Sequence, residues 1–151
     1  MIDIETARQL VIQTVPFNHI LGIQIEAIEP DRVELGLPEA SNLLNHVGTV
    51  HAVAQYGLGE AASGTMTVCA FNDLMTAGVV PLAVEAHVRY RRPAQGALRG
   101  IATLSAQKQE DVRTVFAQTQ RARFPVTVQV LTSQDVTAME LEITWMLLRQ
   151  K

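Results

Sequence analysis

The stretch NHVGTVHAVAQYGLGEAASG, residues 45–64, decides the fold of this chain. Its length, its alanines and the apolar residues that follow predict one helix from about residue 49 to residue 70, entered through a loop at 45–48. Gly57, Gly59 and Gly64 each cost roughly 1 kcal/mol in a helix relative to alanine. A helix with three such costs is expected to gain close packing in return, because glycine lets neighbouring backbone or a ligand come near. We therefore predict that this helix lies at the centre of the molecule.

Alternating apolar and polar residues on both sides of the helix predict β-strands. The predicted strands are 21–27, 33–37, 82–90, 98–106, 124–130 and 139–147. The strand at 82–90 has the most regular alternation and is predicted to have one apolar and one polar face. Short helices are predicted after Asp3, ending near Pro16, and near residues 110–120, and an exit turn is predicted at Asn72. Because crossover helices are missing between most strands, we predict an α+β fold over residues 1–151, a single domain in which an antiparallel sheet covers one buried helix.

Composition excludes several classes of protein. The formal net charge of -3 argues against nucleic-acid binding, which requires a basic surface. The single cysteine, Cys69, cannot form an internal disulfide. The first residues lack a secretion signal and no apolar run is long enough to span a bilayer, so a cytoplasmic location without membrane association is expected.

Glu60 is unusual because its carboxylate lies among small apolar residues on a helix too apolar for the surface. Charging a buried carboxylate is unfavourable, so such a group either has partners or has a raised pKa. Both states suit a general base or a nucleophile. The alternative is a structural Glu60 that pairs with an arginine or caps backbone N–H groups.

His51 and Glu60 are nine residues apart. Nine residues of α-helix turn about 900° and rise about 13 Å, so the two side chains would lie on opposite faces of one helix. They share a site only if they come from two protomers or if His51 lies in a non-helical entry turn. A functional role therefore implies a homodimer, and the alternative is a His51 that caps or packs the helix start.

The turn at residues 48–52, which includes Gly48 and Thr49, is predicted to present free backbone N–H groups at a helix N-terminus. Such donors, together with the helix dipole, stabilise an oxyanion. Asn45 is a candidate to orient a water or a carbonyl, and its alternative role is to close the loop. The histidines lack acidic or cysteine partners at ligand spacing, so no metal site is predicted.

The pattern Asn-x-x-Gly-Thr-x-His, with an acidic residue nine positions later on a small-residue helix, resembles the hotdog-fold acyl-CoA thioesterases. The similarity is greatest to the phenylacetate-pathway type and to a branch of unknown function whose motif ends in Glu-Ala-Ala-x-Gly. The later Arg91-Arg92-Pro93-Ala94-x-Gly96 resembles the strand-and-turn motif of the same proteins. The resemblance extends from about residue 20 to the C-terminus.

The resemblance implies a function and a set of roles. Two protomers would join into one continuous sheet, often as a dimer of dimers, with an acyl-CoA thioester as substrate and no cofactor. Glu60 corresponds to the catalytic carboxylate, as nucleophile or base, and the N–H of Ala52 to the donor that polarises the thioester carbonyl. Asn45 and His51 correspond to supporting positions, with Asn45 facing the carboxylate of the other protomer.

The sequence also departs from the family pattern, which has His-Gly-Gly where this chain has His51-Ala52-Val53. Ala52 keeps its N–H, while the β-branched Val53 is expected to narrow the pocket. Gly64 stands where some relatives carry a hydroxyl, and Ser63 and Thr65 flank it. The residues expected to contact acyl-CoA are Gly48, Thr49, Val53, Tyr56, Ser63, Gly64, Arg92 and Arg123, the two arginines as ligands of the phosphates near the site mouth.

Three functions are compatible with these features. The first is hydrolysis of an acyl-CoA thioester. The second is binding of an acyl group without turnover, which the altered glycine positions favour. The third is a dehydratase or hydratase of the same fold, which would require a His-Phe-Pro-Gly-like or Asp-x-x-x-x-His motif, and neither occurs.

Overall fold

The computed structural model describes residues 2–150, which form four α-helices and six β-strands. The helices are α1 (Ile4–Ala7), which continues as a π-helical segment at Arg8–Gln13, α2 (Pro16–Leu21), α3 (Ala52–Thr76) and α4 (Ala106–Thr119). The strands are β1 (Gln24–Glu29), β2 (Arg32–Leu37), β3 (Val79–Tyr90), β4 (Leu98–Thr103), β5 (Arg121–Thr132) and β6 (Thr137–Arg149). A short 3-10 turn spans Ser41–Leu43.

The six strands form one antiparallel sheet in the order β1-β2-β4-β5-β6-β3. The helix α3 packs against five of these strands, β2 to β6, and its buried residues belong to the single apolar core. The predicted architecture, an antiparallel sheet wrapped around one long buried helix, is confirmed. The hairpin between β1 and β2 is also confirmed, with Glu29 opposite Arg32 at the turn.

The glycines of α3 permit close packing, as predicted. A Cβ built on Gly57 would lie 2.6 Å from Cδ1 of Leu21 in α2, and one on Gly59 would lie 2.6 Å from Cδ2 of Leu141 in β6. Real Cβ atoms do not approach other heavy atoms so closely, so the side chains of Leu21 and Leu141 would have to shift if alanine stood at these positions. The glycines lower the helix propensity of α3, but they allow close packing of α3 against α2 and β6.

Two predicted boundaries near the N-terminus are wrong: the start of the first strand, and Pro16, which begins a helix instead of ending one. The strand predicted from residue 21 begins at Gln24, because Pro16–Leu21 forms a helix. Pro16 suits the first position of a helix, and Gly22, with φ 72°, ends it in the left-handed conformation. Asp3 caps α1 as predicted, since its side chain accepts a hydrogen bond from the N–H of Thr6.

The central helix is longer than predicted. Instead of an exit turn at Asn72, α3 continues to Thr76, with a local kink at Phe71.

The strand β3 is an outer strand of the sheet, next to β6. Its alternating pattern predicted one apolar and one polar face, but in the single chain most of its residues are exposed on both faces. Its outer edge has no neighbouring strand among the described residues.

Helix α4 closes the end of the sheet that lies near the C-terminal end of α3. The guanidinium of Arg113 donates to the carboxylate of Asp73 and to the carbonyl oxygen of Ala70. The helix predicted near residues 110–120 is therefore present but begins earlier, at Ala106. Within residues 2–150, no helix is both long enough and apolar enough to cross a membrane.

Candidate active site

The loop before α3 is closed by Asn45. Its Oδ1 accepts hydrogen bonds from the N–H groups of Val47 and Thr49 at 3.0 and 3.1 Å, and its Nδ2 donates to Oγ1 of Thr49 at 2.8 Å. Gly48 occupies the left-handed region with φ 77°, which favours glycine. Asn45 and Thr49 thus build the loop, which was the alternative role predicted for Asn45.

Most N–H groups of the entry turn already have acceptors, contrary to the prediction of several free donors. The N–H of Gly48 donates to the Asn45 carbonyl, that of Val50 to the Ala94 carbonyl and that of His51 to the Leu43 carbonyl. The N–H of Thr49 donates to the Asn45 side chain. Within the described chain, the N–H of Ala52 has no acceptor and lies on an exposed residue, so it is the donor that remains for a ligand.

His51 is the N-cap of α3. Its Nδ1 accepts a hydrogen bond from the N–H of Val53 at 3.0 Å, and its backbone is extended with φ -58° and ψ 140°. Capping of the second helical N–H is a structural role that stabilises the helix start by about 1 kcal/mol. His51 therefore lies in a non-helical entry position, one of the two arrangements predicted for it, and its ring is engaged with the backbone.

Glu60 lies on the one part-exposed stripe of an otherwise buried helix. From residue 54 to residue 71, every residue of α3 is buried except Tyr56, Glu60, Gly64 and Val68. Their four-residue spacing aligns them on one face. The Glu60 carboxylate has no hydrogen-bond or ion-pair partner in the described part of the chain, and its burial raises its pKa. Within the described residues of the single chain, Glu60 therefore neither pairs with an arginine nor caps backbone N–H groups, the structural alternative predicted for it.

The raised pKa of Glu60 predicts a dependence of stability on pH. Because burial disfavours the charged form, wild type is destabilised as pH rises from the ordinary carboxyl value near 4 through the higher value of the folded state. Glu60→Gln does not titrate. We expect its melting temperature to exceed that of wild type at neutral pH, and the difference to shrink on acidification to about pH 4. Thermal melts across this range measure it, with Glu142→Gln on the exposed outer face as the control that should stay parallel to wild type.

One tyrosine, Tyr56, lies beside Glu60, and a second, Tyr90, lies beside Tyr56. Tyr56 is one turn before Glu60 on α3, and the pKa of Tyr56 is raised by burial and by the Glu60 carboxylate. Tyr90, at the end of β3, has a pKa raised by burial and by Tyr56, and its hydroxyl donates to the carbonyl oxygen of Ala52 at 3.1 Å. The sequence predicted a ligand contact for Tyr56. It gave no signal for Tyr90, because the contact joins residues far apart in the chain.

Ser63 and Thr65 do not face the site, so the prediction that Ser63 contacts substrate is wrong. Both residues are fully buried. The Ser63 hydroxyl donates to the Glu60 carbonyl at 2.8 Å and accepts from the indole Nε1 of Trp145 at 3.1 Å, while the Thr65 hydroxyl donates to the Ala61 carbonyl. Gly64, on the open stripe, lies over the Trp145 ring, which a Cβ would approach to 3.4 Å.

Replacing Ser63 tests its structural role. Ser63→Ala leaves the buried indole N–H of Trp145 without an acceptor, which costs about 1–3 kcal/mol of unfolding free energy. We expect chemical denaturation to show this loss. Ser63→Cys, which keeps a weak acceptor, should lose less, and an unchanged free energy of unfolding for Ser63→Ala would contradict the assignment.

The two arginines predicted at the site mouth lie at opposite ends of the sheet. Arg92 follows β3, next to Ala94, which accepts a hydrogen bond from the entry loop. Arg123 is near the start of β5, where it pairs with Met146, whereas Val130 of β5 lies at the Arg92 end. Seven residues of strand separate Arg123 from Val130, about 23 Å. The prediction that Arg123 lies near the site mouth is therefore wrong.

A depression of about 750 Å³ on the outer face of the sheet lies away from Glu60. Its polar lining includes His87, Arg89, Thr127, Gln129, Glu140 and Glu142. These residues alternate along their strands with the buried residues that face α3, so they are on the opposite side of the sheet. The unpaired Glu60 carboxylate with the nearby Tyr56, rather than this open polar surface, is the better candidate for a catalytic group.

A six-stranded antiparallel sheet around one long helix defines a hotdog-fold protein. The chain belongs to the family described as a domain of unknown function (DUF4442), which matches residues 5–147. Among curated proteins, none matches the chain significantly.

Solved structures match almost the whole chain. A Pseudomonas aeruginosa protein of unknown function, described as a probable thioesterase, is 28% identical with a TM-score of 0.86, covering 99% of this chain and 97% of its own. A Haemophilus influenzae thioesterase is 18% identical with a TM-score of 0.74, covering 99% and 92%. A Chlorobaculum tepidum protein of unknown function is 15% identical with a TM-score of 0.87, covering 97% and 94%. The latter two show the fold alone.

Proposed function

We propose that this protein hydrolyses acyl-CoA thioesters, with Glu60 as the catalytic carboxylate. The observation that carries this proposal is the Glu60 side chain itself, a half-buried carboxylate with a raised pKa and no partner in the described residues. A carboxylate that is stabilised by neighbours would have a lowered pKa and would be a poorer base. The description of the Pseudomonas aeruginosa relative as a probable thioesterase supports the same reaction class.

The site is proposed to combine two protomers. Ala52 and Glu60 are eight residues apart on one helix, which is about 12 Å along its axis. One thioester carbonyl cannot contact the Ala52 N–H and the Glu60 carboxylate of the same chain. The outer strand β3 has unpaired backbone groups along one edge and exposes Leu82 and Val84. Pairing of β3 with a second copy would cover this edge and bring the two helices together.

The chemistry follows from the two groups. The Ala52 N–H of one protomer holds the carbonyl oxygen, which becomes negative as the carbon is attacked. Glu60 of the other protomer removes a proton from the attacking water, the carbon–sulfur bond breaks, and the proton passes to the departing thiolate. If Glu60 attacks directly, a mixed anhydride forms and water then cleaves it, so the products are again a carboxylic acid and free coenzyme A.

Substrate contacts are proposed at Arg92, which follows β3, and at Val53, in the first turn of α3. Arg91 is engaged with Glu140, whereas the guanidinium of Arg92 has no acceptor within residues 2–150. Arg92 is therefore the better ligand for a coenzyme A phosphate. Val53 is 58% exposed in the first turn of α3, where an apolar side chain would contact the acyl group rather than the core.

The experiment is a screen of the purified protein against acyl-CoAs of several chain lengths, with release of free thiol as the readout. We expect release above the uncatalysed rate with at least one chain length. Tight binding of acyl-CoA without release from any of them would contradict hydrolysis and would favour the binding function.

A further inference from the structure

Tyr90 joins the end of β3 to the first turn of α3. Its hydroxyl donates a hydrogen bond of 3.1 Å to the carbonyl oxygen of Ala52, which lies 38 residues earlier in the chain. Ala52 is the same residue whose N–H lacks an acceptor within residues 2–150. The N–H of Ala52 is therefore available to a ligand, while its carbonyl oxygen is hydrogen-bonded to a residue of the sheet.

Tyr90 and the two residues after it are hydrogen-bonded to the neighbouring strand. Tyr90 pairs with Met139 of β6, a fully buried residue. The next two N–H groups, of Arg91 and Arg92, both donate to the Ala138 carbonyl at 2.8 and 3.2 Å. The backbone of Tyr90 is thus fixed by the sheet, and the contact of its hydroxyl links the start of α3 to that fixed strand.

The first turn of α3 needs such a contact. Helix ends lack intrahelical partners and fray, and an oxyanion donor must stay within a few tenths of an ångström of its working position. The His51 cap and the bond from Gln55 Nε2 to the Val50 carbonyl fix the turn within its own segment. The Val50 N–H, which donates to the Ala94 carbonyl, links the residue before His51 to the segment after β3. The Tyr90 hydroxyl is the bond that links Ala52 itself to β3, the strand where a second copy is proposed to pair.

We propose that Tyr90 is a positioning residue for the reaction: its hydroxyl holds Ala52 so that the Ala52 N–H is aimed at the thioester oxygen. This inference rests on the proposed function. The effect is expected mainly on kcat, because the oxygen becomes negative only in the transition state, where the placement of the donor matters most.

Tyr90→Phe removes the hydroxyl and keeps the ring. We expect kcat for thiol release to fall about 3- to 10-fold while KM changes less than about twofold, the effect of one neutral hydrogen bond. Amide hydrogen exchange at Val53 and Gln55, whose N–H groups both donate to His51, should become faster by a similar factor when it is followed by NMR. Thr127→Val is the matched control, since it removes a hydroxyl that contacts Thr103 Oγ1 at 3.0 Å on the outer face, and both readouts should stay at the wild-type level.

Two outcomes would overturn the role of Tyr90: a wild-type kcat in Tyr90→Phe, or an unchanged amide exchange at Val53 and Gln55. A lower kcat with unchanged exchange would mean that the hydroxyl acts on the substrate directly. If the wild type releases no thiol from any acyl-CoA, the proposed function fails. Faster exchange in Tyr90→Phe would then still show that the Tyr90 hydroxyl stabilises the start of α3. Unchanged exchange would contradict that stabilisation too.

Discussion

Glu60→Gln is expected to lower the rate of thiol release at least about 100-fold, the usual contribution of a positioned general base or nucleophile. The glutamine amide has nearly the same shape but cannot accept a proton or attack the carbonyl. Initial rates with the best acyl-CoA of the screen measure the effect. The substitution removes an unpaired buried carboxylate, so we expect the variant to fold and to be at least as stable as wild type at neutral pH.

A matched control is Glu142→Gln on the outer face of the sheet, which removes an equal charge far from α3 and should keep the wild-type rate. Glu60→Asp should retain partial activity, because the carboxylate remains but is withdrawn by one methylene. Equal rates for wild type and Glu60→Gln would remove Glu60 from the mechanism.

Leu58 and Gly100 are expected to be strongly coupled in stability. Leu58 of α3 is fully buried, and a Cβ on Gly100 of β4 would lie 2.9 Å from its Cγ. Leu58→Ala leaves a cavity and should cost about 2–5 kcal/mol of unfolding free energy. Gly100→Ala overpacks the same space and should cost about 1–3 kcal/mol. In the double variant the added methyl enters the space that the leucine vacated, so the total cost should be smaller than the sum by about 1 kcal/mol or more.

Urea denaturation of the four proteins measures this coupling. Leu58→Ala combined with Gly64→Ala is the control, since a Cβ on Gly64 meets only the Trp145 ring, at ordinary contact distance. That pair should be additive. Additive costs for Leu58→Ala and Gly100→Ala would show that α3 and β4 do not interlock at this point.

Local features of the sequence predicted the loop, the central helix and most of the sheet. Gly48 in a positive-φ turn and the run of small residues after His51 act within a few residues, so their pattern is sufficient. The segment before β1 misled the prediction for an equally local reason. Leu21 and Ile23 fit an alternating strand, but Pro16 starts a helix that Gly22 ends.

The functional assignments depended on contacts that no local pattern reveals. Ser63 and Gly64 are neighbours, yet the Ser63 hydroxyl is directed into the core at Trp145, which is 82 residues later, and Gly64 lies on the open stripe. Arg92 and Arg123 are both near turns, but the register of strand pairing puts them at opposite ends of the strands. The role of Tyr90 likewise required the fold. Glu60 was predicted because a carboxylate among small apolar residues is itself a chemical anomaly.

The proposal that each site combines two protomers can be tested with one mixed dimer. Glu60→Gln lacks the carboxylate, and Ala52→Pro lacks the N–H donor while proline suits the first helical position and the extended His51 before it. The two variants are co-expressed with different tags, and the mixed dimer is purified through both tags. If each site takes Ala52 from one protomer and Glu60 from the other, the mixed dimer has one site with both substitutions and one intact site. We expect each parent variant to be nearly inactive and the mixed dimer to release thiol at about half the wild-type rate. A mixed dimer as inactive as its parents, or a protein that light scattering shows to be monomeric at working concentration, would contradict the shared site.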